Sequence, residues 1–294
     1  MIKTYIARDI YWKKIFPFVG KDIIKVIVGQ RRVGKSYFLF QIMDEIKKID
    51  KNANIIYLNK ELEQFSTIKT GKDLLKFISK NVSLHHKNCI FIDEIQEIEG
   101  FEKALRHLFA QGRYDIYCTG SNAHMLSSEI ATGLSGRYIE ITMQSLSFPE
   151  FISFHKLQPD EDALLKYIRY GGMPYLINLE LTEEVVYDYL KNIYNTILLK
   201  DVVARYGVRN INFLERLIVY LADNTGSLVS AKKISDFLKS QKIQISPNIV
   251  LNYLWFLVAA YFITPVKRSD ISGKRIFEIS EKSAIVWDCR GFRR

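Results

Sequence analysis

The sequence predicts an α/β fold, in which a parallel sheet covered by helices precedes a helical lid and a C-terminal winged helix-turn-helix. Between residues 26 and 145, short apolar stretches alternate with segments of helical spacing. This alternation is typical of parallel strands that are buried on both faces. From residue 148 the spacing is helical, and it changes character again after residue 225. A chain of 294 residues has room for two or three such parts.

The first part, residues 1–145, holds the predicted sheet. A helical lead-in is expected over residues 1–25. The predicted strands are 26–29, 54–59, 89–95, 114–121 and 138–143. The helices between them are predicted at 35–49, 70–82 and 100–111. Parallel strands need such crossover helices, so each strand should end at the same edge of the sheet.

Two further parts and a tail follow the sheet. The lid, residues 146–209, is predicted as helices at 148–156, 160–170, 174–179 and 183–203. Residues 210–282 have the order of a winged helix, with a helix at 210–223 and N-caps at Ser230 and Ser246. A hairpin within residues 262–280 would be the wing, and residues 283–294 are left as an atypical tail.

The composition favours a soluble globular protein, with 48% hydrophobic and 25% charged residues. No apolar run approaches the roughly 18 residues of a membrane span, and the N-terminus lacks an apolar signal core, so we expect a cytoplasmic protein without a membrane partner. Three widely separated cysteines form neither a metal-ligand spacing nor a disulfide framework. The net charge of +10 permits contact with polyanions without requiring it.

A glycine-bounded loop joins the first strand to the next helix. Residues 29–36 fit the pattern G-x-x-x-x-G-K-[ST] of a phosphate-binding loop. Backbone N–H groups would turn towards phosphate oxygens, Lys35 would reach the β- and γ-phosphates, and Ser36 would ligate Mg²⁺. The alternative is a structural turn with an incidental Lys-Ser pair. The candidate nucleotide-binding residues are Gly29, Gln30, Arg31, Arg32, Val33, Gly34, Lys35, Ser36 and Tyr37.

Acidic and polar side chains end two other strands. Asp93 and Glu94 follow four apolar residues, on what we expect to be a neighbouring strand. Asp93 would hold Mg²⁺ through water and Glu94 would polarise the attacking water. At the end of the next strand, Ser121 is the favoured residue to position water or contact the γ-phosphate, with Asn122 second. Solvated acids and a simple turn are the alternatives.

These motifs resemble those of an AAA+ P-loop ATPase. The order is Walker A, Walker B and a sensor-like strand end, and the later phrases "LSFPEF", "YIRYGGMPYLI" and "LKDVVARYGVRN" narrow the resemblance. They are similar to the STAND-like bacterial and archaeal family in which an AAA domain precedes a C-terminal domain of unknown function. The resemblance implies nucleotide between core and lid. It also implies that relatives continue for about a hundred residues, so the C-terminal part looks truncated here.

The resemblance implies two more site residues. Arg137 matches a family arginine that could stabilise γ-phosphate charge, in cis or across a subunit interface of a homo-oligomer, although a surface salt bridge is nearly as good an explanation. Pro174, in "GGMP", matches a lid proline that packs near adenine. Without the resemblance it would be a helix break and nothing more.

The winged-helix segment offers little for reading DNA. Its predicted recognition helix carries Asn248 and Asn252 but no Lys or Arg. Basic residues lie instead in the predicted wing, where they could contact phosphates without reading sequence: Lys267, Arg268, Lys274 and Arg275. A packing or protein-interaction module is therefore favoured over a DNA reader.

The sequence as a whole predicts a Mg²⁺-dependent ATPase that acts as a molecular switch. ATP and ADP would be its ligands, and the nucleotide state would bias a winged-helix module that binds an unknown protein partner or DNA. The alternative is a DNA- or protein-binding regulator whose site senses ATP with little turnover.

Overall fold

The computed structural model describes residues 5–122, 134, 136–267 and 283–287. It divides into two compact units, Met1–Gln144 and Ser145–Arg294. None of the helices within the described residues is long and apolar enough to cross a membrane.

The first unit is built on a five-stranded sheet. The strands are β1 (Ile24–Gly29), β2 (Asn54–Asn59), β3 (Asn88–Asp93), β4 (Tyr114–Gly120) and β5 (Tyr138–Met143). They are all parallel and lie in the order β2-β3-β4-β1-β5. Every residue of β1 and β3 is buried, as expected for strands covered on both faces.

Four α-helices of this unit fall in the described residues. They are α1 (Asp9–Ile15), α2 (Lys35–Ile49), α3 (Gly71–Asn81) and α4 (Phe101–Ala110). One apolar cluster joins α1 and α2 to alternate residues of the strands, among them Phe91 and Tyr117, whose rings stack 4.6 Å apart. Of the predicted helical lead-in, the described part, residues 5–25, is α-helical only over Asp9–Ile15.

The strand order corrects one expectation about the sheet. Asp93 was expected on a strand next to the phosphate-loop strand, but β4 lies between β1 and β3. Because the sheet is parallel, the loop after β1 and the ends of β3 and β4 still share one edge, where ligands of open α/β sheets bind. The polar end of β4 therefore lies between the loop and the acids.

The second unit begins with helices. They are α5 (Phe148–His155), α6 (Glu161–Tyr170) and α7 (Glu183–Thr196), and α7 continues as a π-helix over Ile197–Ala204. A short 3₁₀ helix, Pro174–Asn178, precedes α7. Ser147 and Glu150 form a capping box at the start of α5, which explains why that helix begins where it does.

The rest of this unit contains α8 (Ile211–Asp223), β6 (Leu228–Val229), α9 (Ala231–Ser240), α10 (Pro247–Ala259), β7 (Ile263–Lys267) and β8 (Ser283–Trp287). The three strands form an antiparallel sheet in the order β6-β8-β7. The apolar core runs from Tyr170 to Ile263, so the predicted lid and winged-helix segments share one core.

The second strand of the predicted wing differs from expectation. The hairpin was predicted to end by residue 280, but the strand that pairs with β7 is β8, at Ser283–Trp287. Those five residues were assigned to the tail. The assignment was wrong because strand pairing with residues distant in sequence leaves no pattern in the local sequence. Three predicted basic residues of the wing, Arg268, Lys274 and Arg275, lie outside the described residues.

Candidate functional site

The loop after β1 has the geometry that its glycines require. Gly29 has φ +145°, and a Cβ atom there would lie 2.1 Å from the Met143 carbonyl oxygen of β5, so only glycine fits. Gly34 has φ +94° at the start of α2, and a Cβ atom added to it would meet nothing within 4 Å. No side chain of the described residues caps α2. Its first-turn N–H groups are therefore available to an anion, which the helix dipole favours.

Lys35 lies inside this loop. Its side chain is buried, and its Nζ donates to the carbonyl oxygens of Gly29 and Gln30, both at 2.9 Å. The same Nζ lies 3.9 Å from Glu94 Oε1. The ammonium is thus held by the loop and faces the acid that follows β3.

Asp93, at the end of β3, is fully buried and surrounded by donors. Its carboxylate accepts hydrogen bonds from the hydroxyls of Ser36 and Thr119. The Tyr57 hydroxyl and the Asn59 side-chain amide each lie 3.3 Å from Oδ2. Burial raises the pKa of Asp93, and its hydrogen-bond donors offset only part of that rise. A cation bound beside Asp93 would stabilise the negative charge of this buried carboxylate.

Glu94 is held in a conformation that is rare for a residue other than glycine. It has φ 57° and ψ 54°, a left-handed geometry that costs of order 1–3 kcal/mol. Its backbone N–H donates to Thr119 Oγ1 at 3.0 Å, and its carboxylate accepts from Gln96 Nε2. Burial raises its pKa, but Lys35, Gln96 and Arg31 together bring the pKa below its ordinary value. Glu94 is thus an ionised carboxylate with a fixed direction.

The end of β4 completes this edge of the sheet. Ser121 is buried, and its Oγ lies 3.3 Å from Gln96 Nε2, the amide that also binds Glu94. Asn122 is buried beside it. Thr119, the third polar residue of this strand end, links the two acids through its hydroxyl.

The structure brings the predicted phosphate loop together with Asp93, Glu94 and Ser121 at one edge of the sheet: Lys35 faces Glu94, and Ser36 contacts Asp93. Tyr37 lies next to them in sequence but is exposed on α2, with its ring 6.1 Å from that of Phe40.

Arg137 lies at the other end of the sheet. It directly precedes β5, and its carbonyl oxygen accepts from the N–H of Ile24, the first residue of β1. The guanidinium lies 5.7 Å from the Phe109 ring centroid. A chain therefore does not bring Arg137 to its own phosphate loop, and a role across a subunit interface stays a prediction. Pro174 begins the 3₁₀ helix of the second unit, and its role also stays a prediction.

Sequence reasoning missed several residues of the site. Asn59 and Tyr57 come from β2, and Gln96 comes from the short 3₁₀ helix Ile95–Glu97; each contacts an acid. Asn59 carried a usable signal, because it is a polar residue at the end of an apolar strand.

Arg8 was also missed. It is buried before α1, and its Nη1 donates to the carbonyl oxygens of Val33 and Gln144, at 3.2 and 2.8 Å. This cation fixes the phosphate loop from its carbonyl side. An arginine so far from the loop in sequence gives no local sign of this contact.

The donor set at this edge suits magnesium. Among the described residues there is no group of three or more His, Cys, Asp or Glu side chains that would enclose a metal by itself. Magnesium usually keeps several waters and takes one or two protein oxygens together with phosphate oxygens. The Ser36 hydroxyl and the Asp93 carboxylate, which contact each other at the loop, are oxygens of that kind.

Comparison with known proteins agrees with this architecture. Residues 21–152 match a family model described as an AAA domain, and residues 161–285 match the domain of unknown function DUF8612. The chain thus carries an AAA-type P-loop NTPase-like domain, which suggests nucleotide binding.

Two curated relatives are similar over most of the chain. One is an uncharacterized protein of Haemophilus influenzae, 37% identical over 97% of this chain and 72% of that protein. The other is the uncharacterized protein MJ1544 of Methanocaldococcus jannaschii, 35% identical over 88% of this chain and 58% of that protein. The chain spans only part of the length of each.

One solved structure that matches this chain is that of the Aeropyrum pernix ORC1 protein in complex with DNA. It is 12% identical, with 98% of this chain and 91% of that chain covered and a TM-score of 0.42.

Proposed function

The chain belongs to the family in which an AAA domain is followed by the domain of unknown function DUF8612, and from that premise we propose that it binds and hydrolyses ATP with Mg²⁺ as a molecular switch. The observation that supports this proposal most directly is that three groups lie together at one edge of the sheet. They are a buried lysine, a serine hydroxyl that contacts a buried aspartate, and a glutamate with a fixed conformation. A nucleotide triphosphate, a divalent cation and a water molecule need these groups together.

Each residue has a distinct task in this proposal. Lys35 leaves its loop carbonyls and donates to the β- and γ-phosphates, while the N–H groups of the loop bind the remaining oxygens. Ser36 and Asp93 would hold Mg²⁺, which would neutralise phosphate charge. Glu94 accepts the proton of the attacking water, and its fixed direction lowers the entropic cost of that step.

The test is Mg²⁺-dependent ATP turnover and ATP binding by the full chain, compared with Lys35→Ala. We expect the variant to bind ATP about 100-fold or more weakly, because charge-assisted contacts to two phosphates are lost. Isothermal titration calorimetry and phosphate release measure the two quantities.

Lys47→Ala is the matched control, since Lys47 is exposed near the other end of α2. It should bind and turn over ATP as the wild type does. Equal ATP affinity in the Lys35 and Lys47 variants would refute the proposed site.

We assign the C-terminal elements α8 to β8 to a winged helix that binds a protein partner. The order of helices and the three-stranded antiparallel sheet support this assignment. The exposed residues of α10 include Ile249 and Trp255, each 44% exposed, and α10 contains no charged residue. Aromatic and aliphatic side chains free of charge are typical of the core of a protein interface.

One observation supports the alternative of an ATP sensor with little turnover. The Glu94 carboxylate accepts a hydrogen bond from Gln96 and lies 3.9 Å from the Lys35 ammonium. It has to leave these partners before it can accept a proton from water. Tight ATP binding with turnover that rises only on adding a partner would favour the sensor. Turnover of about 1 s⁻¹ or more by the isolated chain, a usual enzyme rate, would favour the ATPase.

A further inference from the structure

Arg31 occupies a different environment from its neighbour Arg32 in the phosphate loop. The Arg31 side chain is only 16% exposed, and its Nη1 lies 3.8 Å from Glu61 Oε1. Arg32 is exposed. The guanidinium of Arg31 is also one of the charges that lower the Glu94 pKa. The Arg31 side chain is thus largely buried beside the loop and near an acid that follows β2, whereas Arg32 is not.

The position of Glu61 shows the path that Arg31 takes. Glu61 follows β2, which is three strand positions from β1, and strands about 4.8 Å apart place these strands roughly 14 Å from each other. The chain after β2 bends over β3, because the Lys60 N–H donates to the Asp93 carbonyl oxygen at 3.2 Å. Arg31 thus extends from the loop towards the carboxyl ends of β4 and β3.

Three other basic side chains, which lie near the loop or were predicted to act at it, have positions different from that of Arg31. Lys35 donates to two carbonyl oxygens of the loop, and Arg8 donates to those of Val33 and Gln144. Arg137 lies at the opposite end of the sheet. Of the two loop arginines, Arg31 is therefore the one whose side chain is largely buried and lies near an acid on the β3 side of the loop, Glu61.

We propose that Arg31 is a catalytic residue that contacts the γ-phosphate from within the same chain, which rests on the ATP hydrolysis proposed above. The guanidinium lies near Glu61 in this structure and turns to the γ-phosphate when a triphosphate binds. In the reaction, water oxygen bonds to the γ-phosphorus and a water proton passes to Glu94. The bond to the bridging oxygen breaks and leaves its electron pair on ADP. Arg31 stabilises the negative charge on the transferring group by bidentate donation.

The experiment compares Arg31→Ala, Arg31→Lys and Arg32→Ala in the full chain. Its readouts are kcat, the affinity for ADP, and the affinity for ADP with aluminium fluoride, which mimics the transferring phosphoryl group. For Arg31→Ala we expect kcat and the aluminium fluoride affinity to fall about 1000-fold, while ADP affinity changes less than about threefold. Arg31→Lys should be intermediate, because lysine keeps the charge but not the planar fork.

Arg32→Ala is the matched loss of a loop cation, and it should weaken ADP and the transition-state mimic by the same factor. Two results would overturn the catalytic role of Arg31. One is a kcat of Arg31→Ala within about threefold of wild type, and the other is an equal loss for the two ligands. Thermal melting checks folding, and if Arg31→Ala does not fold, Arg31→Lys is judged by the ratio of its two affinity losses.

Mixing tests the same-chain placement. Arg31→Ala retains Lys35 and Lys35→Ala retains Arg31, so an arginine acting between subunits would restore turnover when the two variants are combined. We expect no recovery. Recovery would overturn the same-chain placement. A wild-type chain that neither binds nor hydrolyses ATP would instead refute the proposed function, and this inference with it.

Discussion

Glu94 combines backbone strain with a fixed carboxylate. Its left-handed backbone is stabilised by the hydrogen bond from its N–H to Thr119, and Gln96 holds its side chain. Strained residues that are held from several sides often belong to active sites. The strain therefore supports the role proposed for Glu94.

Glu94→Gln should separate ATP binding from hydrolysis. The amide keeps the shape of the side chain but cannot accept the proton, so we expect kcat to fall about 100- to 10,000-fold while ATP affinity stays within about threefold. Phosphate release and calorimetry measure the two quantities. Normal turnover in the variant would show that another group accepts the proton.

Gly29→Ala should destabilise the first unit. The added methyl group would meet the Met143 carbonyl oxygen at 2.1 Å, at a φ of +145°. We expect a loss of about 2–4 kcal/mol in the free energy of unfolding, measured in urea.

Gly112→Ala is the control for the backbone penalty alone. Gly112 has φ +61°, but a methyl group there would meet nothing within 4 Å. It should cost only about 1–2 kcal/mol. Equal losses at the two glycines would mean that the approach of β5 to β1 tolerates a side chain.

At the scale of elements, a buried ion pair joins β1 to β4. Lys25 and Asp115 are both buried, with Nζ and Oδ1 2.6 Å apart. Asp115 also accepts from the Gly20 N–H at 2.8 Å and the Tyr117 hydroxyl at 3.0 Å. Burial lowers the pKa of Lys25, and Asp115 opposes that change. The pair lies near the amino end of the sheet, away from the phosphate loop.

Lys25→Met should therefore destabilise the fold and leave the site chemistry intact. Removing one partner leaves a buried charge uncompensated, which costs about 3–5 kcal/mol. Lys87→Met is the control, because Lys87 lies 3.9 Å from Asp115 but its side chain is 47% exposed. It should cost less than about 1 kcal/mol. The free energy of unfolding of both variants is measured in urea. A loss below about 1 kcal/mol in Lys25→Met would show that the ion pair contributes little to stability.

At the scale of the whole molecule, net charge and the exposed face of α10 point to different partners. A net charge of +10 favours weak attraction to any polyanion. The uncharged face with Ile249 and Trp255 favours a protein. The distinction matters because charge alone gives affinity without sequence reading.

We therefore expect duplex DNA to bind weakly and without sequence preference. Fluorescence anisotropy over a salt series, with and without ATP, should show binding that is lost by about 0.2 M salt, as phosphate contacts alone predict. Binding that survives this salt and differs between DNA sequences would favour the DNA-binding regulator.

Much of the site could be predicted because its chemistry is local. The spacing of Gly29, Gly34, Lys35 and Ser36 encodes a loop that folds within a few residues, and Asp93 ends an apolar strand. The parallel sheet then brings strand ends to one edge whatever their order. The local sequence of these residues is enough to specify their local geometry. The sequence by itself therefore determined the α/β class and the candidate phosphate loop.

The tertiary structure decided what depends on strand order and long-range pairing. In the folded sheet, β4 lies between the loop and the acids, and Tyr57 and Asn59 contact Asp93. Arg137 lies at the far end of the sheet, and Ser283–Trp287 pairs as a strand. The physical reason is that hydrogen bonding between strands follows from the packing of the whole core. A strand's own residues specify its burial but not its neighbour.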